Sequence, residues 1–180
     1  GERILISMPP LTLNVVGRDR PGIVAAVTGA LADVGANVAA SRASLLWGSF
    51  AMVVAVEAPD GVSHADIDAV LVPVAEQLDL TIIVQPCGGG APDAGAERCV
   101  VSVYGADRPG IVHDATGALA ELGADIVDLT SSLVGDPPIF ILGMEVVLPK
   151  GVGLARVESV LGSGVLRDLE VSVQPAAERV

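Results

Sequence analysis

The sequence predicts an α+β protein made of two βαββαβ units, each built on its own four-stranded antiparallel sheet. Three observations carry that expectation. The stretch Gly17-Arg18-Asp19-Arg20-Pro21-Gly22-Ile23-Val24 returns 88 residues later as Gly105-Ala106-Asp107-Arg108-Pro109-Gly110-Ile111-Val112, and Thr28-Gly29-Ala30-Leu31-Ala32 returns as Thr116-Gly117-Ala118-Leu119-Ala120. Around each copy the hydrophobic period switches between two residues, as in a strand, and three to four, as in a helix. A repeat of that length in 180 residues leaves room for two small domains, each near the lower limit of independent folding.

Composition narrows the class. Hydrophobic residues make up 51% and charged residues 18%, so the chain is globular; its apolar share is mostly Ala and Val, which predicts a core built from small pieces. Against 22 acidic residues stand ten basic ones, nine arginines and Lys150, for a formal charge of −12. That balance disfavours phosphate backbones and anionic lipid. No basic stripe, aromatic stacking platform or zinc-finger spacing is present either, so direct nucleic-acid binding is discounted. No stretch approaches the roughly 20 apolar residues of a membrane span. The first ten residues lack the charged-then-apolar order of a signal peptide, so the expected location is cytoplasmic, with no membrane partner. Cys87 and Cys99, with no paired His, cannot form a four-ligand zinc site; they read as free thiols, and no cofactor or metal is expected.

Taken in order, residues 1–10 form a short arm ending at Pro9-Pro10, which cannot donate to a sheet ladder. The first domain covers 11–86. Leu11, Leu13 and Val15 share one face of a strand over 11–16. The loop Gly17–Arg20 leads into a helix, with Asp19 as its N-cap and Pro21 in its first turn. Ile23, Val27, Ala30, Leu31 and Val34 give that helix its apolar stripe, and Gly35 closes it. Asn37–Leu46 and Phe50–Glu57 read as a hairpin turning at Trp47-Gly48-Ser49. Phe50–Val56 is apolar on both alternating faces, which requires a cover for its second face. Ser63 and Asp66 approximate a capping box for a second helix, whose stripe is Ile67, Val70, Leu71, Val74 and Leu78 and which Pro73 should end or kink. Leu80–Gln85 is the fourth strand.

Residues 87–97 are rich in Gly and Pro without an apolar period, the composition of a flexible linker. The second domain, 98–175, repeats every element. Its strands are Arg98–Tyr104, Asp125–Val134, Phe140–Leu148 and Leu169–Pro175, its helices Arg108–Leu122 and Leu154–Leu161. Residues 176–180 form a tail. A βαββαβ unit of this order is the ferredoxin-like arrangement, with both helices on one sheet face. The bare opposite faces should bury surface on one another and on a second chain, making a homo-oligomer.

Asp-Arg-Pro-Gly-Ile-Val after a short strand, followed by Gly-Ala-Asn-Val at 35–38 or Gly-Ala-Asp-Ile at 123–126, resembles the ACT domain in both repeats. Tandem ACT domains without an attached enzyme further resemble the glycine cleavage system transcriptional repressors. The resemblance implies an amino-acid ligand held at the strand–helix loop, at an interface between ACT domains. It also implies a regulatory role exercised through a protein partner such as a transcription factor. Carried over position by position, it marks Gly17, Asp19, Arg20, Gly22, Ile23 and Asn37 in the first repeat, and Asp107, Arg108, Gly110, Ile111 and Asp125 in the second. Asn37 both donates and accepts whereas ionised Asp125 only accepts, which favours the first repeat as the ligand site. Serine-binding members often carry a His where this chain has Gly17 and Gly105, which counts against serine. The resemblance to the glycine cleavage repressors implies glycine or a similar small amino acid. Independently, a loop that points free N–H groups and a positive helix end into one spot suits a carboxylate. The bland alternative is that Asp19 only caps, Pro21 and Gly22 only turn, and the module binds proteins without any ligand.

Enzyme readings are weaker. Asp66-Ile67-Asp68-Ala69-Val70-Leu71 superficially matches a phosphatase nucleophile motif, but that motif needs a strand before its first Asp, where this chain has a turn and a helix start. His64 and His113 fall at a helix start and on a solvent-facing helix side. No nucleophile–base spacing or phosphate-binding glycine motif appears, so no catalysis is expected.

Overall fold

The structure, a computed structural model, describes residues 9–88 and 96–177. The arm at 1–10 lies outside them apart from Pro9 and Pro10, and the linker at 87–97 and the tail at 176–180 lie partly outside. The chain divides into two compact units, 1–89 and 90–180.

The first unit runs β1 (Leu11–Arg18), α1 (Ile23–Asp33), β2 (Asn37–Leu46), β3 (Ser49–Glu57), α2 (His64–Leu78) and β4 (Leu80–Pro86). Its strands order β2-β3-β1-β4, all antiparallel. The second repeats this with β5 (Arg98–Ala106), α3 (Ile111–Glu121), β6 (Asp125–Val134), β7 (Ile139–Val147), α4 (Leu154–Val160) and β8 (Glu170–Pro175), ordered β6-β7-β5-β8. The expected ferredoxin-like α+β repeats are therefore present.

Period-two patterning builds each core. Leu11, Leu13 and Val15 of β1 and Phe50, Met52, Val54 and Val56 of β3 meet Ile23, Val27 and Leu31 of α1 and Ile67 and Leu71 of α2. Each large aliphatic side chain buried this way contributes about 1.5–3 kcal/mol. Alternate residues face out: Val16, Val53 and Ile83 are each about half exposed, as the doubly apolar β3 anticipated. In the second unit the matching outward residues include Tyr104 and Ile141.

Helix ends follow local chemistry in some places and depart from it in others. Ser63 and Asp66 form the full capping box: the Ser63 hydroxyl accepts from the Asp66 N–H, and the Asp66 carboxylate accepts from the Ser63 N–H at 2.8 Å. Gly35, at φ +73°, follows α1 as its left-handed cap, donating to Ala32 while Ala36 donates to Leu31. Pro73 does not break α2, which continues to Leu78. The missing N–H leaves the Ala69 carbonyl without its helical donor, but both residues are exposed, so the carbonyl is open to solvent, while Ile67 and Leu71 hold the helix to the core. In the second unit the corresponding segment is irregular, because α4 gives way to a π-helical turn over Leu161–Val165 in which Gly164 leaves helical geometry.

The β2–β3 turn is tighter than expected. Leu46 pairs with Ser49, so only Trp47 and Gly48 form the loop, at φ +50° and +79°. Positive φ at both positions is the signature of a type I′ hairpin turn.

Candidate functional site

The two β–α loops occupy equivalent places: each starts where the unit's first strand ends, beside the strand that follows its second helix. Gly17 pairs with both Phe50 and Leu80. A Cβ there would lie 2.6 Å from Leu80 Cδ2 and 3.1 Å from the Asp79 carbonyl, so Gly17 is required by packing rather than by ligand approach.

The first loop is organised by backbone. Asp19 is exposed and does not cap α1; its N–H instead donates to the Gly48 carbonyl at 2.9 Å. Gly22 is the N-cap, at φ +94°, with open space where a side chain would be. Pro21 therefore belongs to the turn before the helix. The reason lies in Gly22, whose left-handed conformation makes the final turn into α1 and leaves Asp19 upstream of the N-cap. No side chain caps α1, and its first turn holds no acidic residue, so its leading N–H groups and positive end are uncompensated. Ile23 is buried and anchors the helix start. Arg20 is partly exposed and has no ion-pair or hydrogen-bond partner among the described residues.

The second loop has the same path and different chemistry. Gly110 is again a left-handed N-cap, at φ +91°, and Ile111 is buried; Asp107 is exposed. Arg108, however, is engaged. Its Nε donates to Asp168 Oδ2 at 2.8 Å and its Nη2 to Oδ1 at 3.4 Å, while Nη1 donates to Asp114 Oδ2 at 3.0 Å. The carbonyls of Pro109 and Val165 accept further bonds at 3.4 Å. Hydrogen bonds to Asp168 and then Asp114 raise the Arg108 pKa above its ordinary value, and the same guanidinium holds the Asp168 carboxyl below the usual range. Asp168 lies 60 residues from Arg108 and was not singled out in the sequence.

Asn37 and Asp125 are not brought to these loops within their own units. Asn37 pairs with Glu57, whereas Gly17 pairs with Phe50, seven residues along β3 and thus about 24 Å away at a strand's rise. Asp125, opposite Val147, is separated from Gly105, opposite Phe140, by the same seven residues. The sequence held the signal for this: α1 returns antiparallel to β1, so a residue opening β2 starts from the far end of the sheet.

Near the first loop lies an apolar groove lined by Val16, Leu46, Trp47, Phe50 and Ala51 with Ser44 and Ser49. Trp47 is 99% exposed. Elsewhere, His113 is exposed, and His64 Nε2 lies 3.3 Å from the Val84 carbonyl. Among the described residues no group of three or more His, Cys, Asp or Glu could hold a metal ion, and no helix is long and apolar enough to cross a membrane.

The ACT-domain family profile matches residues 10–85 and again 97–174. The chain belongs to the ACT-domain family. As a tandem ACT protein it is similar over its length to a solved structure of an unknown protein from Galdieria sulphuraria. The two are 27% identical, 94% of this chain and 99% of that one are covered, and the TM-score is 0.81. It shares its fold with a candidate glycine cleavage system transcriptional repressor at 19% identity, with coverage of 94% and 98% and a TM-score of 0.67. The UPF0237 protein of Methanopyrus kandleri is 35% identical over 79 residues, 43% of this chain and 88% of that protein, about the length of one ACT unit.

Proposed function

We propose that this tandem ACT protein is a non-enzymatic, amino-acid-sensing regulator that binds a small amino acid such as glycine and passes that state to a protein partner. The observation that carries the reading is the first loop, where an uncapped helix start with no acidic residue in its first turn stands beside Arg20, which has no partner among the described residues. An α-carboxylate suits both the free N–H groups and the guanidinium. A ligand of glycine's size held there is out of reach of Asn37 in the same unit, so the working residues are those of the loop: Gly17 and Ile23 shape it, and Asp19, Arg20 and Gly22 face the ligand. The shared fold of the candidate glycine cleavage repressor supports regulation of amino-acid, and specifically glycine, metabolism. With a formal charge of −12, the route to DNA runs through a partner such as a transcription factor. Ligand changes partner affinity only by as much as it prefers one arrangement of the protein over another.

Calorimetry across the amino acids, on protein confirmed ligand-free, tests this reading. One small amino acid should release heat and raise the melting temperature, by about 2.7 kcal/mol of stabilisation at a hundredfold excess over Kd. Heat from none, with unchanged melting, would sink it. Trp47 and its groove favour a second reading, a ligand-independent interaction module with self-association through the open sheet faces. Recovery of one partner in equal yield with and without the active amino acid would select it.

A further inference from the structure

We infer that the second loop is closed by an internal carboxylate latch, Asp168–Arg108–Asp114, so that the chain has one amino-acid site, in the first unit. The inference rests on the loop reading proposed above. Its basis is a residue-by-residue difference between two copies of one design. Gly17 and Gly105 pack against Leu80 and Leu169 respectively, which makes Asp79 the counterpart of Asp168, and the repeat spacing makes Ala26 the counterpart of Asp114. In the second unit both counterparts are carboxylates that face the loop arginine, and together with two carbonyls they occupy its fork of donors.

In the first unit neither counterpart does so. Ala26 has no polar group. Asp79 follows α2 directly as its left-handed cap, at φ +53°, with its N–H bonded to the Ala75 carbonyl. In the second unit the π-helical turn and the residues Leu166–Leu169 lie between α4 and β8, and this longer path carries Asp168 to the guanidinium. An isolated exposed ion pair would contribute little, but a two-oxygen contact from one carboxylate plus a second carboxylate is the arrangement that holds. Asp114 also places a negative charge in the first turn of α3, where α1 has none, and so compensates the helix end that a ligand carboxylate would use. Asp168 thus meets the guanidinium as a bound α-carboxylate would, and Asp114 compensates the helix.

Arginine-selective labelling with phenylglyoxal, read by peptide mass spectrometry, tests the latch without any ligand. Arg108 should react roughly tenfold more slowly than Arg20 in the native protein. Asp114→Asn with Asp168→Asn should bring the two rates together, and Ala26→Asp should slow Arg20. Equal native rates would overturn the inference, and because that comparison needs no variant it stands even if the double variant folds poorly. Glycine calorimetry supplies the functional arm: one equivalent per chain natively and two in the double variant support the latch. Two native equivalents overturn it while leaving the amino-acid-sensing reading intact. If glycine gives no heat, that reading loses its ligand, and labelling alone decides the latch.

Discussion

The backbone N–H of Asp19 donates to the carbonyl of Gly48 at 2.9 Å, which fastens the β1–α1 loop of the first unit to the tip of the hairpin that carries Trp47. A change in the loop should thereby be felt at Trp47, the most exposed large apolar side chain among the described residues.

Trp47 is the single tryptophan, so its fluorescence reports this connection. Ligand-free protein should emit as a water-exposed indole, and saturating the amino acid identified by calorimetry should shift or quench that emission. Superimposable spectra at saturation would show that the loop and the hairpin tip move independently.

Gly22 holds φ +94° with no atom near its missing Cβ, so Gly22→Ala tests backbone conformation apart from steric crowding. The left-handed penalty predicts about 1–2 kcal/mol of destabilisation in urea unfolding. Gly17→Ala acts by a different route, forcing Leu80 aside, with overpacking of about 1–3 kcal/mol.

The pH dependence follows from two carboxylates held below their usual pKa. The hydrogen bond from Arg108 lowers Asp168, and that from the Ser63 hydroxyl, then the Ser63 backbone, lowers Asp66. Because the folded values are depressed, their contributions are fully present above the unfolded carboxylate pKa, near 3.9, and fade as pH falls through the lower folded values. Urea midpoints should thus drop below about pH 4. Asp168→Asn should lower the neutral-pH midpoint and flatten that drop; an unchanged acid limb would mean that the pair adds no stability.

Cys87 is exposed, and burial pushes the Cys99 thiol pKa up. Ellman's reagent at mildly alkaline pH should titrate one thiol quickly and the second only on unfolding. Two fast equivalents would show that β5 opens readily.

Most of the fold was legible because it is local. The period-two runs in β1 and β3, the Ser63–Asp66 box and the Gly35 cap are all written within a few residues of where they act. The loop sites were less legible. Asp19 was expected to cap α1 because side-chain chemistry favours Asp at that position, yet a backbone conformation open to Gly22 moved the cap three residues on. The pairing of Arg108 with Asp168 depends on how α4 gives way to the π-helical turn, and no local pattern encodes a contact across 60 residues.

The Trp47–Gly48 turn places a bulky residue where Asn or Gly is the usual occupant. Trp47→Asn should therefore make the first unit more stable, by about 1 kcal/mol. A stability-guided redesign would accept that substitution early, and in doing so would remove both the fluorescent reporter and the exposed apolar side chain at the hairpin tip. Selection on folding alone gives no reason to keep Trp47 at this turn.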